Sequence, residues 1–267
     1  ENSIQIMVTA SDSGSGLAEN DTYKYYINNS LKQTSTISSY TFEGLTAETS
    51  YTIKVETFDK VGNRGESNAV VSTKRIQTDG SFNEEKGVNS PRLGPNMKLV
   101  KFDSSTKEWI EGIEYSYVGK TTVGDNNESK WANAEVTTNG VKSYFVWIPR
   151  YAYKIDNNNK TIDVKFIKNK GKIAADGTTC KYLSENPGAN EYIIHPAFTN
   201  DINNGGWDSE LPGIWIGKYE TSISNSQLKV QPGVKCLRDI PVSSMFSYGK
   251  EYNTELNSHM LKNSEWG

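Results

Sequence analysis

The chain is organised around residues 143–155, the densest run of aromatic and β-branched residues in the sequence. Residues 144–148 (Tyr-Phe-Val-Trp-Ile) are continuously apolar, which is typical of a strand buried on both faces. Pro149 has no backbone N–H to donate, so the strand must be interrupted or lie at a sheet edge there. Beyond it, residues 151–155 alternate large apolar side chains with smaller or charged ones, which indicates a half-buried strand.

A second run of the same character, residues 213–221 (Gly-Ile-Trp-Ile-Gly-Lys-Tyr-Glu-Thr), is the natural partner of this strand. Residues 151–155 and 161–167 predict an antiparallel hairpin. Helix-like patterns are confined to residues 243–248 and 255–266, and none is longer than about three turns. Short strands and turns dominate elsewhere, so the chain is predicted to be mainly β.

Composition excludes two classes of partner. The net charge is −3 and 23% of residues are charged, which provides no basic patch for nucleic acid. No apolar run approaches the length of about 18 residues that would span a membrane, so no membrane insertion is expected. The 267 residues suffice for two domains. Because the chain begins at Glu1 rather than Met, we interpret it as an internal fragment, and its lack of a signal segment says nothing about location.

Cysteines and histidines are sparse. Cys180 and Cys236 are far apart and are either one disulfide or two buried thiols, which the sequence does not decide. Two histidines cannot make a three-histidine metal site. His195 precedes Pro196 and is predicted to cap a loop rather than to serve metal binding or catalysis. His259 has glutamates nearby, but a solvated helix face is the favoured interpretation over a zinc site.

Residues 199–210 (Thr-Asn-Asp-Ile-Asn-Asn-Gly-Gly-Trp-Asp-Ser-Glu) form the most site-like loop. The two glycines allow tight turns that aim carbonyl oxygens inward, and calcium takes about six to eight oxygen ligands. The spacing does not match an EF-hand loop, so a plain surface loop is favoured over a calcium site. No other cofactor is expected. The candidate calcium ligands are Asp201, Asn203, Asp208 and Glu210.

Three tryptophans, Trp207, Trp215 and Trp266, are candidates for a sugar platform, because aromatic faces stack on the apolar faces of sugars. Trp215 lies within a hydrophobic strand and is predicted to belong to the core. Trp207 lies in the glycine-rich loop and, with its neighbour Asp208, is the better ligand-binding candidate. No Gly-x-Ser-x-Gly elbow, phosphate loop or dinucleotide fingerprint is present, so no catalytic residues are predicted.

The first part of the chain contains alternating strands at residues 4–8, 23–27, 40–45, 50–58 and 69–73, separated by turn residues. This pattern is typical of an all-β sandwich.

Gly44-Leu45, Thr49 and Tyr51 resemble the tyrosine-corner stretch of fibronectin type III domains. Residues 58–63 resemble the turn between the last two strands of that family. The resemblance covers residues 1–76 and implies a fibronectin type III-like β-sandwich cut at its start, since the family's opening strand is absent. Such a module serves equally as a spacer or as a binding module.

Residues 77–96 are polar, contain glycine and proline, and are predicted to be the linker between two domains. The second domain is predicted to cover residues 97–267. It begins with an expected hairpin of residues 97–102 and 108–110, in which Trp109 packs on the facing strand.

Four stretches of the second domain resemble formylglycine-generating-enzyme-like (sulfatase-modifying-factor) domains. They are residues 145–149 (Phe-Val-Trp-Ile-Pro), residues 213–221, residues 239–244 (Asp-Ile-Pro-Val-Ser-Ser) and residues 261–266 (Leu-Lys-Asn-Ser-Glu-Trp). The resemblance implies a loop-rich α+β domain of C-type-lectin-like topology, incomplete at its C-terminus. The layout of both domains is similar to surface or prophage tail proteins of Gram-positive bacteria.

The enzymes of that family use cysteines late in the domain, beyond the helix that begins near Glu265, and neither Cys180 nor Cys236 matches such a position. The resemblance therefore implies the fold and not the activity. We expect a non-enzymatic, extracellular recognition or adhesion protein of a cell surface or phage particle that binds a host or bacterial surface glycan or a protein. The alternatives are a fragment of a formylglycine-generating-type enzyme without its active residues, and a purely structural spacer.

Overall fold

The fold is seen in a computed structural model that describes residues 3–115, 130–224 and 227–266. The chain divides into two units, Glu1–Ile76 and Gln77–Gly267. Antiparallel sheets dominate both units, so the mainly-β prediction is confirmed. Glu1 and Gly267, where the sequence analysis places the cut ends of the domains, lie outside the described residues. Across the described ranges, no helix is both long and apolar enough to cross a membrane.

The first unit contains two antiparallel sheets that contribute side chains to one core. The larger sheet has the strand order β3-β2-β5-β6, and the smaller sheet pairs β1 with β4. The strands are β1 (Ile4–Met7), β2 (Tyr23–Ile27), β3 (Ser30–Ser35), β4 (Ser39–Phe42), β5 (Ser50–Phe58) and β6 (Arg64–Ser72).

The core of the first unit follows the alternation predicted from the sequence. Tyr25 in β2 is fully buried and packs with Ile53 of β5, while Ile4 and Phe42 close the core from the smaller sheet. Strand β3 was not predicted, because its residues are mostly exposed and polar and show no apolar period. Before β5 begins, the Thr46 N–H donates a hydrogen bond of 2.8 Å to the Tyr51 hydroxyl.

The second unit is built on a five-stranded sheet with the order β10-β9-β11-β12-β16, a three-stranded sheet β14-β13-β15, and the hairpins β7-β8 and β17-β18. Its strands are β7 (Phe82–Asn83), β8 (Val88–Asn89), β9 (Met97–Asp103), β10 (Glu108–Glu111), β11 (Asn133–Thr138), β12 (Val141–Pro149), β13 (Tyr151–Asp156), β14 (Thr161–Phe166), β15 (Ile193–Ile194), β16 (Gly213–Gly217), β17 (Thr221–Ser224) and β18 (Gln227–Val230). Its α-helices are α1 (Val242–Tyr252) and α2 (Asn263–Trp266).

Strand β12 pairs with β11 on one side and with β16 on the other, and Trp147 lies opposite Trp215. The predicted partnership of the two hydrophobic runs is therefore confirmed. The strand ends at Pro149, and after Arg150 the chain continues as β13 in the three-stranded sheet, paired with β14 as predicted. Strand β12 was predicted to be buried on both faces, but only the face that carries Trp147 is buried. Trp147 is 2% exposed, whereas Tyr144 on the opposite face is half-buried.

Residues 77–96 belong to the second unit, although their composition predicts a linker. They form the β7-β8 hairpin, and Val88 and Asn89 are completely buried. The Asn89 amide donates to the carbonyl oxygens of Asn169 and Pro212, and the Asn89 carbonyl accepts from the Trp147 indole at 3.1 Å. Asn89, one of the polar residues that suggested a linker, is thus a buried hydrogen-bonding group, which a composition argument cannot recognise.

The helical pattern predicted for residues 255–266 is wrong, although α1 confirms the helix predicted at residues 243–248. A 3-10 turn at Thr254–Leu256 ends at Asn257, whose φ of 52° is left-handed and stops helix propagation. Helical structure resumes only at α2.

The close contact between β16 and β12 at Gly213 can be tested by substitution. An added Cβ would lie 2.6 Å from Cε2 of Trp147 and 2.7 Å from the Ile148 carbonyl oxygen. We expect Gly213→Ala to lower the free energy of unfolding by about 1–3 kcal/mol through overpacking, measured by urea denaturation. The matched control is Gly188→Ala, whose added Cβ would meet only the Glu191 side chain at 3.7 Å. Equal stability of the two variants would contradict the prediction.

Candidate ligand-binding site

The loop predicted to bind ligand or calcium is anchored by a buried ion pair. The Arg150 side chain is fully buried, and its Nη2 contacts the Glu210 carboxylate. Its other donors reach the carbonyl oxygens of Gly171 at 3.1 Å, Phe198, and Leu211 at 3.3 Å. Burial lowers the pKa of Arg150, and the Glu210 carboxylate opposes that effect. Glu210 is therefore the counter-ion of a buried cation.

Asp201 also has a structural role. Its carboxylate accepts the backbone N–H of Asn204 at 3.3 Å and the Asn204 side-chain amide at 2.7 Å, so it caps the 3-10 turn Ile202–Asn204. Asn203 and Asp208 are exposed. In the described part of the chain, no group of three or more His, Cys, Asp or Glu residues could hold a metal ion. The four candidate calcium ligands are thus not assembled into a carboxylate site.

Trp207 does not offer an open aromatic platform. Its indole N–H donates to the Ala197 carbonyl oxygen at 2.9 Å. The Lys262 ammonium lies 3.1 Å from the ring centroid, and the His259 ring meets it edge-on at 5.0 Å. The ring is therefore in contact with the C-terminal segment, which we define as residues 259–266. Its neighbour Asp208 remains exposed.

His259 lies in this segment and not on the solvated helix face that was predicted. Its Nε2 is 3.2 Å from both carboxylate oxygens of Glu265, and its Nδ1 is 2.9 Å from the Asn257 carbonyl oxygen. The hydrogen bond to Glu265 raises the pKa of His259. Burial opposes ionisation of Glu265, but hydrogen bonds from His259 and the Lys262 N–H outweigh it and lower the pKa of that carboxyl.

Two further contacts fix the C-terminal segment on the loop. The Ser264 hydroxyl donates to the Gly205 carbonyl oxygen at 2.8 Å, and the Lys262 ammonium donates to the Gly206 carbonyl oxygen at 3.4 Å. Gly205 has a left-handed φ of 85°, and an added Cβ would lie 2.5 Å from the Ser264 Cβ. The Gly205 position therefore needs glycine both for its conformation and for the approach of Ser264.

The remaining sequence candidates have structural places. His195 caps the 3-10 turn Pro196–Phe198 as predicted, with Nδ1 accepting the Ala197 N–H at 3.3 Å. Trp215 contacts Trp147 at 5.2 Å, in agreement with the core prediction, while Trp266 is 83% exposed. Both cysteines are free thiols, so the disulfide alternative is wrong; Cys180 is buried as the other alternative expected, but Cys236 is exposed.

A surface that the sequence analysis missed lies on the five-stranded sheet. We define the aromatic face as Phe102, Trp109, Tyr144 and Tyr219. Trp109 lies at its centre, 5.5 Å from Phe102, as the hairpin prediction expected, and 5.5 Å from Tyr144 in a stacked arrangement. The Trp109 indole donates to the Tyr219 hydroxyl at 3.3 Å. Phe102 is 47% exposed, and the other three rings are half-buried.

Polar groups surround the aromatic face. The Lys218 ammonium donates to the Asn133 side-chain oxygen at 2.7 Å and lies 5.1 Å from the Trp109 ring centroid. The buried Glu135 carboxylate is held by Lys98 at 3.3 Å and Lys142 at 3.1 Å. Half-buried rings beside a few fixed polar groups are the usual composition of a ligand site.

The aromatic face was missed because its rings come from distant parts of the sequence. Register brings Trp109 opposite Phe102, and the Lys218 N–H donates to the Tyr144 carbonyl oxygen at 2.9 Å. The one available signal was that Tyr144 shares a strand face with Val146, opposite to the face that buries Trp147. The continuous apolar run concealed that difference.

Glu210→Gln distinguishes a counter-ion from a calcium ligand. Removing one partner of a buried ion pair leaves Arg150 uncompensated, so we expect a loss of about 3–5 kcal/mol in the free energy of unfolding. The control Asp208→Asn changes an exposed carboxylate and is expected to have little effect. Calcium should not raise the thermal unfolding midpoint of the wild-type chain. A calcium-dependent rise that Glu210→Gln abolishes would restore the metal-site interpretation.

The His259–Glu265 pair predicts a pH dependence. Its contribution to stability is complete below the ordinary His pKa of 6.5 and above the ordinary Glu pKa of 4.5. It is lost as pH rises through the raised pKa of His259, and as pH falls through the lowered pKa of Glu265.

We therefore expect His259→Gln to cost about 1–3 kcal/mol between these two values, and progressively less at alkaline pH. Urea denaturation of both proteins from pH 4 to 9 measures the difference. A difference that is independent of pH would refute the ionic pairing.

No protein-family model matches the chain, and no curated protein matches it. Among solved structures, the chain is similar to SGBP-B of the Bacteroides ovatus mixed-linkage glucan utilization locus, in complex with a mixed-linkage heptasaccharide. The likeness has 10% sequence identity and a TM-score of 0.23, and it covers 72% of this chain. The chain spans 63% of that structure's length, which is less than two thirds. At this TM-score the likeness carries no argument about fold or function.

Proposed function

We propose that the second unit is a non-enzymatic recognition module that binds a glycan through the aromatic face. The observation that carries this proposal is the cluster of four rings on one face of the five-stranded sheet, with Phe102 47% exposed at its edge. Sugar rings present apolar C–H faces and polar edges. Trp109 and Tyr144 supply aromatic surface for the former, and Lys218 and Asn133 supply hydrogen-bonding groups for the latter.

Trp109 is preorganised for this role. Contacts with Phe102 and Tyr144 and the hydrogen bond to Tyr219 fix the ring before any ligand arrives. A fixed ring loses little conformational entropy on binding, so more of the contact energy appears as affinity. Phe102, Trp109 and Tyr144 lie on strands, and Tyr219 lies two residues after the end of β16, which favours a precise site.

We further propose that the first unit is a fibronectin type III-like spacer. The hydrogen bond from the Thr46 N–H to the Tyr51 hydroxyl supports the tyrosine corner inferred from the sequence. The pairing of four strands in one sheet and two in the other supports a β-sandwich. The second unit would be a C-type-lectin-like domain, and the pairing of β12 with β16 supports that assignment. The whole would act outside the cell, on a cell surface or a phage particle.

The enzyme alternative is less well supported by the thiols that the chain contains. Cys180 is buried, and burial raises the pKa of its thiol, which disfavours the reactive thiolate. Cys236 is exposed, and the two thiols are not joined. A purely structural spacer remains the third candidate, and a ligand-binding experiment separates it from recognition.

A glycan array probed with the wild-type chain, followed by calorimetry on the best ligand, tests the proposal. We expect Trp109→Ala to weaken binding about tenfold or more, because the central ring carries the contact. Phe102→Ala removes a half-exposed ring at the edge and should weaken binding less, without a change in the unfolding midpoint. The matched control is Trp266→Ala, which removes an exposed ring outside the aromatic face.

Failure of the wild-type chain to bind any glycan would leave the spacer as the better description. Binding that survives Trp109→Ala but not Trp266→Ala would move the site to the C-terminal segment.

A further inference from the structure

Lys218 is a cation whose protein environment is incomplete. Its ammonium has one hydrogen bond, to the Asn133 side-chain oxygen at 2.7 Å, and lies over the Trp109 ring. Among the described residues, no carboxylate forms an ion pair with it, whereas Lys98 and Lys142 share Glu135. Lys218 has three donors, and the Asn133 oxygen occupies one of them.

Partial burial without a counter-ion is unfavourable. Desolvation lowers the pKa of Lys218, as expected for a partly buried ammonium without a carboxylate partner in the described part of the chain. The Trp109 ring compensates in part through a cation–π contact. An anion beside the ammonium would supply the missing charge and offset part of the free energy that burial costs.

The other charges on this face also favour an anionic partner. The strand register places Lys98 and Glu135 on the same face as Tyr144, and Lys142 reaches the same carboxylate. Glu111 shares the face at the edge strand β10. Three lysines thus face two glutamates, and both oxygens of Glu135 are already occupied.

We propose that the ligand of the aromatic face is an acidic glycan, whose oxyanion binds the Lys218 ammonium while its sugar ring stacks near Trp109. This inference rests on the function proposed above and adds the chemical class of the ligand. Carboxylate and sulfate groups share the required chemistry, since both present oxygen acceptors with negative charge. The carboxylate of a uronic acid and the sulfate ester of a sulfated sugar are the two sources to distinguish.

The test uses β-1,4-linked oligosaccharides of equal length in three forms, namely glucose, glucuronic acid and sulfated glucose. Calorimetry compares the wild-type chain with Lys218→Met, which keeps an unbranched apolar side chain as far as Cε and removes the ammonium. The control Lys250→Met removes an exposed charge on α1. We expect one acidic form to bind the wild-type chain at least about tenfold more tightly than the neutral form, and the preference to shrink in high salt.

Lys218→Met should lose the acidic preference while its unfolding midpoint stays equal or rises, because an uncompensated charge has been removed. Lys250→Met should keep the preference. Equal binding of neutral and acidic forms, or a preference that survives Lys218→Met, would overturn the acidic class and leave glycan recognition standing. A large fall in the unfolding midpoint of Lys218→Met would show a structural role and also count against the inference. Absence of binding to every form and to the glycan array would overturn both proposals.

Discussion

The buried cation Arg150 is the constraint on which the second unit depends. It stands where Pro149 ends β12 and the chain passes from the five-stranded sheet into β13. A guanidinium at that junction has to find acceptors, because an unpaired buried charge would cost several kcal/mol. The carbonyl oxygens of Gly171, Phe198 and Leu211 and the Glu210 carboxylate supply them. The Arg150 side chain thereby holds together the loop after β14, the turn after β15 and the residues that follow Trp207.

Sequence periodicity predicted the parts of the fold in which burial follows the chain locally. The runs at β12 and β16 and the β13-β14 hairpin are of this kind, because apolar side chains alternate or continue along each strand. Prediction from the sequence failed where polar groups are buried against partners that are distant in sequence. Asn89 resembles a linker residue until Asn169 and Pro212 are seen to accept its amide. Glu210 resembles a calcium ligand until Arg150 is seen beside it.

Partners distant in sequence also explain why the proposed ligand-binding surface is the aromatic face and not the Trp207 loop. Trp207 was the favoured ligand residue because its loop is rich in glycine, yet Lys262 and His259 contact its ring. Trp109 was predicted only to pack on the facing strand of a hairpin, yet it lies at the centre of the four rings of the aromatic face. Aromatic content alone therefore cannot identify a binding surface. What separates the two residues is the kind of neighbour that tertiary contacts give each ring: Trp207 lies against Lys262 and His259 of the C-terminal segment, whereas Trp109 adjoins further aromatic rings, of which Phe102 is 47% exposed.

The charged side chains of the second unit also differ in how fully the chain provides their partners. This difference links the stability of the unit to its proposed recognition role. Arg150 has acceptors for its guanidinium and a carboxylate for its charge, so it is a structural cation. Glu135 is likewise satisfied by two lysines. Lys218 has one hydrogen bond and a ring, which offset its desolvation only in part. A group that the fold leaves incompletely paired beside a half-exposed aromatic surface is one for which a ligand can supply the remainder, and this distinction supports the sheet face, rather than the Trp207 loop, as the proposed binding site.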